Sequence, residues 1–156
     1  MFSLSGCLLF KEKETITVRT EELRQAKESK EARMNYLLMA KNLLDQNDFE
    51  GALKEYQKLL TQSGQHSPAD EALFQIGMIY AHFGNPKKDY GKSLTFLKKL
   101  LKDFPQSPRA EQARLWVGLL QEHERLTQTV QKLQQTLEEI KKVDIEIEEK
   151  KKEKMK

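Results

Sequence analysis

The chain has 156 residues, 33% of them charged and 38% hydrophobic, and its 27 Lys+Arg against 24 Asp+Glu leave a formal net charge of +3. That apolar share is thin for a compact globule but ordinary for helical repeats and coiled coils, which expose much of their surface. One cysteine, Cys7, excludes an internal disulfide; no run of about 18 apolar residues is available to span a bilayer as a helix; and the interspersed charges call for neither nucleic acid nor an anionic membrane.

The first ten residues are mostly apolar and contain Leu4-Ser5-Gly6-Cys7. Small residues ahead of a cysteine, after an apolar stretch, suit a signal-cleavage site. The tetrad resembles a bacterial lipobox. The resemblance implies cleavage before Cys7, acylation of its thiol, and stable anchoring through more than one acyl chain. Members of that family retained in the inner membrane carry Asp after the cysteine; here Leu8 follows, so the resemblance implies the periplasmic face of the outer membrane. Only six residues precede Cys7, so this reading expects translation to start upstream of Met1. The alternative is an incidental cysteine in a short apolar N-terminus of a cytoplasmic protein.

Lys11 to Arg19 is polar and β-branched (Thr15, Ile16, Thr17, Val18) and reads as a linker. Residues 1–19 thus form a first segment. Thr20 before Glu21-Glu22 predicts a helix start, a capping hydroxyl with acids in the first turn. That helix continues to about Gln46. Its polar first half, Glu21 to Glu31, is expected to project, while Tyr36, Leu37, Ala40, Leu43 and Leu44 begin a core. Asn47-Asp48 ends it. Phe49 to Gln62 predicts a partner helix with Ala52, Leu53, Tyr56, Leu59 and Leu60 inward, and Gly64 and Ser67-Pro68 break the chain again.

From Ser67 to Phe104, two helical patterns flank Gly84-Asn85-Pro86. The first carries Leu73, Ile76, Gly77 and Tyr80 on one face and Ala72, Ile79 and Phe83 on the next; the second carries Leu94, Leu97, Leu100 and Leu101. A helix apolar on two faces is packed from two sides. Phe83 and Trp116 are expected in the core at repeat junctions, with a peptide-groove anchor as the alternative.

These segments half repeat. Ser67-Pro68, Ala72 and Gly77 are matched by Ser107-Pro108, Ala113 and Gly118, and the Asp48–Leu53 segment aligns with Asp89–Leu94. Ala40, Gly77 and Gly118 are equivalent small residues, spaced by 37 and 41. The pattern resembles the tetratricopeptide repeat, a helix-turn-helix unit of about 34 residues, with longer loops. The joint Phe104-Pro105-Gln106-Ser107-Pro108 resembles a variant common in bacterial envelope repeat proteins. A glycine inside a helix costs about 1 kcal/mol against alanine, so Gly77 predicts close approach of a neighbouring helix. The repeat domain is read as residues 20–118.

The third unit starts as a repeat, with Leu115, Trp116 and Leu119, and then continues as helix without Gly or Pro from Leu119 to Lys156. A heptad with Trp116 at a makes a apolar at Trp116, Val130 and Leu137, and d apolar at Leu119, Leu126, Leu133, Ile140 and Ile147. This is a coiled-coil seam about 42 Å long. His123 sits on it as a packing compromise. The tail from Glu148 is expected to fray. Residues 119–156 form the third segment.

No Gly-x-Ser-x-Gly elbow, His-Glu-x-x-His, Cys-x-x-Cys or glycine-rich phosphate loop is present, so neither an enzyme nor a cofactor nor a metal is expected. The reading is all-α: helical hairpins in a short solenoid, followed by a long coiled-coil helix. Short solenoids present a concave surface to protein partners; here Tyr36, Met39, Gln75, Met78, Arg114 and Val117 on first helices would line it. The function expected is a protein-interaction adaptor of the bacterial envelope. The chain resembles the BamD-type outer-membrane assembly lipoproteins and, in its order of repeats then coil, the QseG-like helical lipoproteins that partner a sensor histidine kinase. A coil-driven oligomeriser, a homodimer with the repeats as spacers, is a third reading.

Overall fold

The computed structural model describes the backbone of residues 5–64 and 67–155, and side chains from residue 19 onward within those ranges. Five helices follow in order: α1 (Ser5–Asp45), α2 (Phe49–Ser63), α3 (Ala69–Ala81), α4 (Tyr90–Asp103) and α5 (Ala110–Lys154). No strand occurs among the described residues. The chain divides into two units, Met1–Ala113 and Arg114–Lys156.

In the first unit α1 packs on α2, α2 on α3 and α3 on α4. The result is two antiparallel hairpins side by side, with α3 covered from both sides as its two apolar faces require. Ala40, Ala52, Tyr56, Leu59, Ala72, Ile76 and Ile79 form the shared core, and Tyr36, Leu37, Leu43, Leu44, Leu53 and Leu60 close around it. The aligned acids do the same job in each hairpin. Asp48 accepts a hydrogen bond from the Gly51 amide at 2.8 Å, and Asp89 accepts one from the Lys92 amide at 2.9 Å. Each satisfies an amide that its helix leaves without a partner.

Gly77 explains itself. A Cβ there would lie 2.7 Å from Leu97 Cγ and 2.9 Å from its Cδ2. The α3–α4 hairpin closes over the missing side chain. Its equivalent in α1, Ala40, is fully buried, whereas a Cβ on Gly118 in α5 would meet nothing within 4 Å.

Three expectations are corrected. The first helix does not start at Thr20: α1 runs from Ser5 without interruption through the stretch read as a linker. From Cys7 to Asp45 there is no Gly or Pro to stop it, and four β-branched residues lower helix propensity by only a few tenths of a kcal/mol each. Phe83 is not core but 88% exposed. Helix α3 ends at Ala81 because Asn85 turns the chain: its side-chain amide donates to the Ile79 carbonyl at 2.9 Å, and its Oδ1 accepts the Lys87 amide at 2.9 Å. Phe83 is therefore off the helical register that made it look inward, and stacks on His82 at 4.8 Å. Finally, the tail does not fray at Glu148. Helix α5 reaches Lys154, with Lys151, Lys152 and Lys154 in its last turn, where cations complement the helix dipole.

The second unit is one helix. The whole of α5, 45 residues, is about 68 Å long.

Candidate functional site

The residues assigned to a partner surface fall in both units. Tyr36 is half-buried, with Lys58 Nζ 5.8 Å from its ring centroid, and Met39 on the same helix is 53% exposed. On α3, Met78 is half-buried and Gln75 donates to Glu71 Oε1 at 3.0 Å. Arg114 is exposed and Val117 half-buried, both in the second unit. Cys7 lies outside the residues whose side chains are described.

One polar cluster of the first unit was not singled out in the sequence. Arg109 donates through Nε to Glu71 Oε2 at 2.6 Å and through a terminal nitrogen to Glu71 Oε1 at 3.2 Å. Its guanidinium also lies 5.3 Å over the Phe74 ring. Ser107 Oγ donates to Asp70 at 2.6 Å and accepts the Arg109 amide at 3.1 Å. The Ser-Pro joint is thus clamped onto the first turn of α3 by a planar fork of the kind arginine forms with carboxylates. The one available signal was the repeat itself: Asp70 and Ser107 stand 37 residues apart, the same spacing as Ala40 and Gly77.

A second link crosses from α2 to the α3–α4 loop. Lys87 Nζ meets Glu50 Oε2 at 2.9 Å beside a small groove of about 170 Å³ floored by Phe49 and Leu53. The hydrogen bond from Lys87 lowers the Glu50 pKa, and the same bond raises that of Lys87. The pair is exposed and screened, so it steers loop position more than it stabilises. Within the core, burial, followed by the charges of Glu71 and Asp45, pushes the Tyr56 phenol up to about 12. Its hydroxyl finds no hydrogen-bond partner.

The α3–α4 hairpin is the part of the chain that resembles a known family. Residues 71–107 match the family model of the tetratricopeptide repeat. The match begins inside α3, covers α4 and ends at the serine of the clamped joint. No curated protein and no solved structure gave a significant match to the chain. The α1–α2 hairpin lies outside the matched residues but copies the repeat in its cap and its small core residue. In α5 the copy stops: among the described residues no turn follows Gly118, and the helix continues to Lys154. Tetratricopeptide repeats generally mediate protein–protein interactions through such stacked hairpins. Among the described residues no group of three or more His, Cys, Asp or Glu could hold a metal ion, and no helix is long and apolar enough to cross a membrane.

The predicted seam is laid out on α5 as one stripe. Leu119, Leu126, Val130, Leu133, Leu137, Ile140 and Ile147 are each 45–60% exposed. Leu115, one turn before Leu119, is 71% exposed.

Proposed function

We propose that the chain is a non-enzymatic adaptor that uses its tetratricopeptide-type hairpins to hold a protein partner, and that Cys7 tethers it to the periplasmic face of a bacterial outer membrane. The observation that carries the adaptor reading is the α3–α4 repeat, matched in sequence and closed in structure by Gly77 against Leu97. The tether rests on Leu4-Ser5-Gly6-Cys7 alone. Within that reading the partner is a sensor kinase or an outer-membrane assembly component, the two settings in which similar lipoproteins work.

Expression from the native gene with its upstream region tests the tether. Mature protein should partition into detergent with the mass of an acylated Cys7, and a Cys7→Ala variant should not. A soluble, unmodified product removes the envelope from the proposal and leaves a cytoplasmic adaptor. A photo-crosslinking residue at Met39 or Met78 tests the repeat surface. Crosslinks to one partner from these sites, and not from Lys98 on the outer face of α4, support it; equal labelling from both refutes it.

A further inference from the structure

Helices α2 and α4 hold equivalent places in the two hairpins, yet their outer faces differ in charge. On α2 the lysines stand beside carboxylates: Lys54 lies 4.0 Å from Glu50 and Lys58 lies 2.7 Å from Glu55. When the alignment of Asp48–Leu53 with Asp89–Leu94 is carried on along both helices, these two glutamates fall at Gly91 and Phe96. The exposed residues of α4 are Gly91, Lys92, Thr95, Lys98, Lys99 and Lys102, a strip without an exposed carboxylate or a large apolar side chain. Residues 87–102 contain six lysines and one aspartate, a net charge of +5 in a chain whose total is +3. We propose that this strip is a docking surface for an acidic segment of another protein, one that carries its carboxylates along one side.

The fold does not ask for these lysines. No acid occupies the first turn of α4, where the helix dipole favours one, and Lys92 stands there instead. Lys98 and Lys102 are four residues apart, and Lys99 and Lys102 three apart, like-charge spacings that weaken a helix. Lys92 has Asp89 at 3.7 Å and Lys99 has Asp103 at 2.7 Å, whereas Lys98 and Lys102, both exposed, reach no carboxylate among the described residues. The shape of the strip chooses the occupant. It is one helix wide and, from Lys92 to Lys102, about 15 Å long. A helix that lies on a bilayer turns an apolar face towards it, but Leu94, Leu97 and Leu100 of α4 are buried. Single-stranded nucleic acid is held by stacking on aromatic rings as well as by charge, and the exposed residues of this face include no ring. A narrow acidic element matches both the charge and the width, and complementary charge of this kind gives specificity and speed of encounter. The inference does not depend on the fate of Cys7, and the strip lies on α4, apart from Met39 on α1 and Met78 on α3.

The test uses the full chain and two synthetic helical peptides of one composition, followed by fluorescence anisotropy. The striped peptide carries its glutamates along one face; the scattered peptide carries them all round. The striped peptide should bind more tightly, and its binding should weaken as salt rises. Lys98→Gln with Lys102→Gln should weaken it roughly tenfold, with the far-UV circular dichroism unchanged. Lys150→Gln with Lys152→Gln, which removes the same charge from α5, should leave it within roughly twofold. Equal losses in the two variants, or equal affinity for the two peptides, mean that net charge alone is read and overturn the strip. Failure of the striped peptide to bind at low salt overturns it as well. Tighter binding to phosphatidylglycerol vesicles or to duplex DNA than to the striped peptide, lost in the α4 variant, overturns the protein partner and assigns the strip to lipid or nucleic acid.

Discussion

Replacing Gly77 and Gly118 by alanine should move stability in opposite directions, although the two glycines are equivalent positions of successive repeats. Each substitution gains the same helix propensity, about 1 kcal/mol, and the same reduction of unfolded-state freedom. They differ in what the new methyl meets. At Gly118 it meets nothing within 4 Å, so the variant should be more stable by up to about 1 kcal/mol. At Gly77 it meets Leu97 Cγ at 2.7 Å, where carbon–carbon contact is comfortable only at about 3.5–4.0 Å. Leu97 is fully buried, and its Cγ is a branch point rather than a mobile tip, so α4 itself must move. Overpacking of this kind costs about 1–3 kcal/mol, which leaves Gly77→Ala destabilised by up to about 2 kcal/mol after the propensity gain. The difference between the two variants isolates the packing cost. Urea unfolding followed by far-UV circular dichroism measures it, and hydrogen exchange across α3 and α5 localises it. Adding Leu97→Ala should make Gly77→Ala nearly harmless, a coupling that a double-mutant cycle reads directly. Equal stabilisation by the two alanines would falsify the close approach of α4 to α3.

The remaining predictions concern caps, the turn and the buried phenol. Asp48→Ala and Asp89→Ala should each cost about 1 kcal/mol, with little coupling between them, since each acts on its own helix. Asn85→Ala leaves the Ile79 carbonyl and the Lys87 amide without their side-chain partner and should cost about 1–3 kcal/mol in urea unfolding. Tyr56 keeps its proton in the folded state to about pH 12 against an ordinary 10. Its contribution is therefore complete below pH 10 and is lost as pH climbs towards 12, because the unfolded chain ionises first. Tyr56→Phe should flatten that alkaline loss, and near neutral pH it should cost little because the hydroxyl it removes has no hydrogen-bond partner. An unchanged alkaline slope in the phenylalanine variant refutes the assignment.

Much of the fold was legible because its determinants are local and periodic. The hairpin pairs, the alignment of Asp48–Leu53 with Asp89–Leu94 and the close approach at Gly77 all follow from spacing. The errors share a cause too. Phe83 fits the α3 stripe by spacing, but Asn85 ends the helix with bonds from its own side chain, which periodicity does not register. The extension of α1 to Ser5 was missed because β-branched residues suggested a spacer where no breaker existed. The Glu71–Arg109 fork was invisible because it joins residues far apart whose types are those of any surface helix. Leu115 shows the last limit: a helical stripe marks a face to be covered, not what covers it.

The fork and the Ser107–Asp70 bond have a consequence for how the molecule is made. They span 37 and 38 residues, and the main packed helix pairs join successive helices. The described core of the first unit therefore settles largely from contacts between neighbours in the chain. Such low-order wiring favours rapid folding, and each hairpin can lock onto the one before it as the polypeptide emerges, with the joint latching last. A chain that must be delivered, held extended or released in stages loses little by being assembled this way, one hairpin after another.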